Sequence, residues 1–263
     1  GVLGVLVLGL WWSLALPLPL AGMATRPAVL VHGLMMPLGI FPPFMLGFVF
    51  TAGPRWLSTS APGGHLPLAL AQIAGLLLTL IGFALGAYWP LPGLCILFLV
   101  WWRATSLWGV CIAGAPSGDQ RHARLILTAM AAGNLGILAT AGWVLSNDGA
   151  FWLLARNLIL WGWIVPIFLI VAHRMIPFFT QSVLPQRAIW RPLPLLYGWL
   201  GGCALLALAA VAHLPALTAA VAAGMGLAFA YTVWRWAGRP GFTPAQWRGL
   251  YGGNRLLAML HLS

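Results

Sequence analysis

The run LPLALAQIAGLLLTLIGFALGAY, residues 66–88, decides the fold class: it is 23 residues long and holds no charged side chain. A helix needs about 20 apolar residues to cross the hydrocarbon core of a bilayer, and this run supplies them. The rest of the chain has the same character. Of its 263 residues 62% are hydrophobic and 6% charged, and the mean hydropathy is +0.95. A soluble domain carries about 25% charged residues, so the composition excludes a water-soluble globule, a disordered chain and a disulfide scaffold. The length leaves room for about eight to ten crossings.

Working outward, apolar runs punctuated by Pro, Gly and Arg predict helices at about 2–20, 28–53, 66–88, 92–112, 121–145, 151–180, 194–212, 215–236 and 247–263. No stretch between them is long enough for a soluble domain, so the chain reads as one all-α, polytopic transmembrane domain over residues 1–263 with about nine helices. The opening run from Gly1 to Leu20 lacks the basic region and cleavage site of a signal peptide and reads as a first membrane helix. Position 1 is Gly, and the sequence stops at Ser263 inside an apolar run, which reads as a fragment.

The thirteen bases are all arginine, set against only Asp119 and Asp148, for a net charge of +11. Paired-carboxylate catalysis or a carboxylate-lined ion path would require those two to meet. The arginines collect at helix ends, where orientation and anionic lipid explain them without nucleic acid. Arg55, Arg121, Arg124, Arg187, Arg191, Arg235, Arg239 and Arg248 follow even-numbered helices, whereas only Arg26 and Arg156 follow odd ones. That bias predicts a cytoplasmic N-terminus.

Cys95, Cys111 and Cys203 show no metal or redox spacing and read as small core residues. Trp56, Trp89, Trp143, Trp152, Trp190, Trp234 and Trp247 fall near predicted helix ends and read as an interfacial belt. Gly75, Gly82 and Gly86, and likewise Gly133 and Gly136, have the spacing of close helix packing.

Two segments carry candidate chemistry. HGLMMPLGIFPPFMLGFVFTAGPRWL, residues 32–57, joins His32 to Met35, Met36 and Met45 and to Pro37, Pro42 and Pro43. His32 and Met36 are spaced i, i+4 and share a face, where imidazole and thioether could bind haem iron or copper. The alternative is an interfacial histidine above a methionine packing seam. AHRMIPFFTQ, residues 172–181, places His173 and Arg174 at the end of an apolar run. Arg174 could hold a haem propionate or another anion, or snorkel to the headgroups. Arg103, midway through the fourth helix, is expected to face the protein interior or a water-filled cavity. His65, His122 and His213 read as solvated, and His261 as buried in the last helix.

These segments resemble the NnrS family of bacterial membrane proteins. Its first signature opens with His-x-His-Glu-Met and ends in Thr-Ala-x-Pro-x-Trp. Here His32, Met36, Gly39, Gly47, Phe48, Thr51, Ala52, Pro54 and Trp56 match in unbroken register, and Arg174 to Thr180 resembles the second signature. The resemblance implies an inner-membrane protein of about twelve helices, associated with haem and copper and with the response to nitric oxide, of which this chain would be roughly the first two thirds. The candidate cofactor-binding residues are His32, Met36, His173 and Arg174, with His32, Met36 and His261 toward a metal. Leu34 stands in place of the second motif histidine and Met35 in place of the glutamate, while His173 stands where many members have glycine. On the predicted map His32 and His173 lie roughly 15 to 20 Å apart along the membrane normal, too far for one ion. Proline-rich helices and buried arginines leave open a permease for a small or anionic solute. A non-catalytic sensor or assembly subunit is the third reading.

Overall fold

The computed structural model describes residues 26–116, 118–183 and 190–237. Among them there is no strand, and seven spans are long and apolar enough to cross a membrane. The nine expected are therefore not matched, and the helices predicted at 2–20 and 247–263 lie outside the described residues. The elements are α1 (Ala28–Leu57), α2 (His65–Leu85), α3 (Pro90–Ala113), α4 (Arg121–Ser146) and α5 (Gly149–Asn157). A π-helical turn (Leu158–Ile164) follows, then α6 (Val165–Val183), α7 (Leu193–Val211) and α8 (Pro215–Ala237). The span Gly149–Gln181, drawn from α5, the π turn and α6, counts as one crossing.

Helix ends follow local chemistry. Ser58 takes a left-handed conformation after α1 (φ 54°), and the Thr59 amide donates to the Pro54 carbonyl at 2.9 Å. Gly64 and Gly86 bracket α2 with φ of 89° and 82°, so Gly86 serves the turn and not the packing predicted for it. Asn147 closes α4, and the Asp148 side chain then caps α5 by accepting from the Ala150 amide. Four prolines, Pro37, Pro42, Pro43 and Pro54, lie inside α1, which nevertheless runs unbroken for 30 residues.

The chain divides into two compact units, Gly1–Ile167 and Phe168–Ser263. In the first, α2 packs along α3, α3 along α4, and α4 along α5 and the π turn, while α1 leans on α2 and the π turn. Glycines set these approaches. A Cβ at Gly53 would enter the Trp108 ring, at Gly133 the Trp163 ring, and at Gly93 the backbone of Thr79. Trp101, Trp108, Trp143 and Trp163 are the largest fully buried side chains. Trp143, assigned from sequence to the interfacial belt, is therefore core, whereas Trp89 and Trp234 are exposed near helix ends. In the second unit α7 and α8 form a hairpin in which Met225 lies against Gly202 and Trp199 against Phe229, with ring centroids 5.1 Å apart.

Packing of this kind gives a direct test. Gly133→Ala should lower the melting temperature of the detergent-solubilised protein by several degrees, because the Trp163 ring has nowhere to go and overpacking costs about 1 to 3 kcal/mol. Gly47→Ala, where a Cβ would meet nothing within 4 Å, should be neutral or slightly stabilising.

Candidate functional site

The first candidate is built on the N-terminal half of α1. Four residues at about 100° each bring His32 and Met36 to within about 40° of one another around the helix, and both are half-buried. Leu34 and Met35 point elsewhere and are fully buried core residues. The positions at which this chain departs from the motif are thus apolar interior, and Met45 is buried with them. Trp152 of α5 fixes this half of α1: its indole donates to the Leu30 carbonyl at 3.0 Å, and its ring lies 3.3 Å from where a Gly33 Cβ would stand. Arg156 stacks over the far side of the system, 5.5 Å from the Trp152 ring centroid.

The second half of the same motif is structural. Gly53 admits Trp108, whose indole donates to the Ala123 carbonyl at 2.9 Å. The Thr51 hydroxyl donates to Gly47 and Phe48 carbonyls, and Phe48 meets Trp56 edge-on at 5.8 Å. The Gly53 and Trp108 contacts hold the end of α1 against α3 and α3 against the start of α4, while the Thr51 and Phe48 contacts stay within α1.

The second candidate segment lies in the other unit. His173 is fully buried, and its Nε2–H donates to the Pro192 carbonyl at 3.2 Å, because a carbonyl can only accept. That bond fixes the tautomer and leaves Nδ1 as the basic nitrogen, an arrangement that either pins the start of α7 or orients a ligand. Its ring meets Trp199 edge-on at 6.1 Å. Arg174 is half-buried, Pro177 is buried, and the Thr180 hydroxyl donates to the Ile176 carbonyl at 2.9 Å. His261 lies outside the described residues.

Other expectations change. His65 and His213 are exposed as read, but His122 is buried at the start of α4. Arg103 does not face the interior: it lies on the exposed side of α3 next to Trp102. Cys111 and Cys203 are buried, Cys95 is exposed. The two carboxylates do not meet. Asp119 pairs with Arg121 at 2.8 Å, which holds its carboxyl below the usual range, and Asp148 caps α5 at the other end of α4, roughly 39 Å away by helix rise. Among the described residues no three His, Cys, Asp or Glu converge as a metal group.

Sequence reading missed Arg26, which it counted only as a loop charge. Arg26 is 6% exposed. Its guanidinium donates to the Ala87 carbonyl at 2.9 Å and to the Val144 carbonyl at 2.5 Å, and stacks over Trp143. The negative ends of α2 and α4 are thereby tied together at the entry to α1. The only signal was an arginine directly before a proline that starts a helix.

Compared with known proteins, the chain matches a family model described as NnrS protein over residues 1–263. No curated protein and no solved structure matches it.

Arg26→Leu should cost about 2 kcal/mol or more, since two hydrogen bonds to a charged donor are lost at once. Arg191→Leu, at an exposed position, should melt like the parent protein.

Proposed function

The chain belongs to the NnrS family over residues 1–263, and from that premise we propose that it is an integral membrane protein that binds haem and copper and acts in the response to nitric oxide or nitrosative stress. The observation that carries this reading is the His32 and Met36 face of α1, in register with the family's first signature and half-buried where a cofactor could reach it. A neutral imidazole beside a thioether suits a soft ion such as copper(I). Both side chains project the same way from one helix and would hold a metal from one side. His32 or His173 would hold the haem iron through its imidazole. With haem on His173, the neighbouring Arg174 would hold a propionate, and His261 would add a metal donor.

Bound haem or copper would supply a centre able to coordinate a small diatomic molecule. The chain's own residues do the positioning: Trp152 holds the helix carrying His32, and the Pro192 carbonyl sets the His173 tautomer. The permease reading rests on proline-rich helices and buried arginines; α1 is continuous through all of its prolines, and the buried Arg26 donates to two backbone carbonyls.

His32→Ala and Arg174→Lys should each lower haem or copper content by severalfold in the purified full-length protein, read from the Soret band and elemental analysis. His213→Asn, exposed and at a positive φ that asparagine tolerates, should leave both unchanged. Equal spectra in all three variants would return His32 to a packing role.

We further propose a single multi-pass domain in the bacterial inner membrane with a cytoplasmic N-terminus. The Arg26 bonds bring the entry to α1 and the ends of α2 and α4 to one side, and Trp108 brings the ends of α1 and α3 and the start of α4 to the other. Arg55, Arg121 and Arg124 fall on that second side, which the positive-inside rule makes cytoplasmic. A cysteine introduced as Gln120→Cys should resist a membrane-impermeant thiol reagent in intact spheroplasts and react after lysis; labelling before lysis would invert the topology.

A further inference from the structure

Three side chains inside the first unit present polar atoms that no protein group satisfies: Asn134 Oδ1, Asn157 Oδ1 and Trp163 Nε1. Their residues are 5%, 1% and 0% exposed. Lipid offers no water from outside to such groups, so leaving three of them dry in one unit is costly.

Trp163 and Asn134 meet at the seam where the π turn joins α3 and α4, and Asn157 stands directly before that turn. The Trp163 ring lies on Gly133, the chain neighbour of Asn134, and meets the Trp101 ring edge-on at 4.6 Å. Asn134 Nδ2 donates to the Thr105 hydroxyl at 2.9 Å, and that hydroxyl donates to the Trp101 carbonyl at 2.6 Å. Three residues along α4, Gly136 faces Leu158 and Ile159, directly after Asn157. The seam coincides with the π-helical turn Leu158–Ile164, a widened turn of the kind found at functional sites.

The chemistry of the free atoms selects the occupant. An anion would need several donors, and only the indole N–H is available. A hard cation would need about six oxygens, and only two amide oxygens are open. One donor and two acceptors fit a small neutral molecule that both donates and accepts, which is water. We propose that the seam between α4 and the π turn is a hydration site inside the membrane, where one or two bound waters accept from Trp163 Nε1–H and donate to Asn134 Oδ1 and Asn157 Oδ1.

The full chain in lipid nanodiscs, labelled with 15N-tryptophan, tests this. The Trp163 indole signal, identified by its loss in Trp163→Phe, should show a cross-peak to long-lived water; an indole signal without one overturns the site. Asn157→Leu gives a second measurement that needs no assignment. If the amide oxygen is dry, removing it relieves an unmet acceptor, and the melting temperature should rise or stay level, which also overturns the proposal. If it holds water, the substitution strands the water and its other partners, and the melting temperature should fall by several degrees.

Discussion

Indole rings set against glycines are the contact on which the first unit depends. Between lipid-soaked helices there is no hydrophobic gain from excluding lipid, so association rests on close fit and on polar groups that find partners inside the protein. Trp108 meets both demands. Its ring occupies the space left by Gly53 of α1, and its N–H reaches the Ala123 carbonyl at the start of α4, so one side chain of α3 joins three helices. Trp101 meets the second demand through Gln72 of α2, to which its indole donates at 2.9 Å. Trp163 fits Gly133 but lacks a protein acceptor, and that unmet demand singles out its seam from the rest of the packing.

This contact also explains how much the sequence revealed. Hydropathy places each helix from α1 to α4, α7 and α8 within a few residues, because apolar length is written directly in composition. Gly133 and Gly136 were legible as packing sites from their spacing alone, whereas Gly53 was hidden inside the Thr-Ala-x-Pro-x-Trp turn. What composition cannot show is the direction a side chain takes around its helix. Trp143 near the end of α4 and His122 at its start both look interfacial by position, yet each points inward. Arg103 fails in the opposite sense: central along α3, it points out. The π turn was unreadable too, since LILWGWI has the hydropathy of any buried helix.

The candidate site was legible as a pair of residues and no further. Spacing put His32 and Met36 on one face, and the structure keeps them there, half-buried and beside a segment locked by Trp152. Leu34 and Met35 stand where the family's first signature carries His and Glu. Both side chains are sealed into the core of the unit, so the polar environment that they would have shared with His32 is replaced by packing. The second segment, by contrast, gains a histidine whose ring is oriented by a backbone carbonyl, which a glycine at that position could not supply.

Arg26 has a consequence for how the molecule is made. Its acceptors, Ala87 and Val144, lie 61 and 118 residues further along the chain. At about 5 to 20 residues per second the ribosome takes about 6 to 24 s to deliver the second of them. Throughout that interval the guanidinium must remain at the membrane surface with water or phosphate as company. The clamp therefore cannot close until Val144 has been made, and a ribosome that stalls before residue 144 leaves a nascent bundle whose entrance cannot lock.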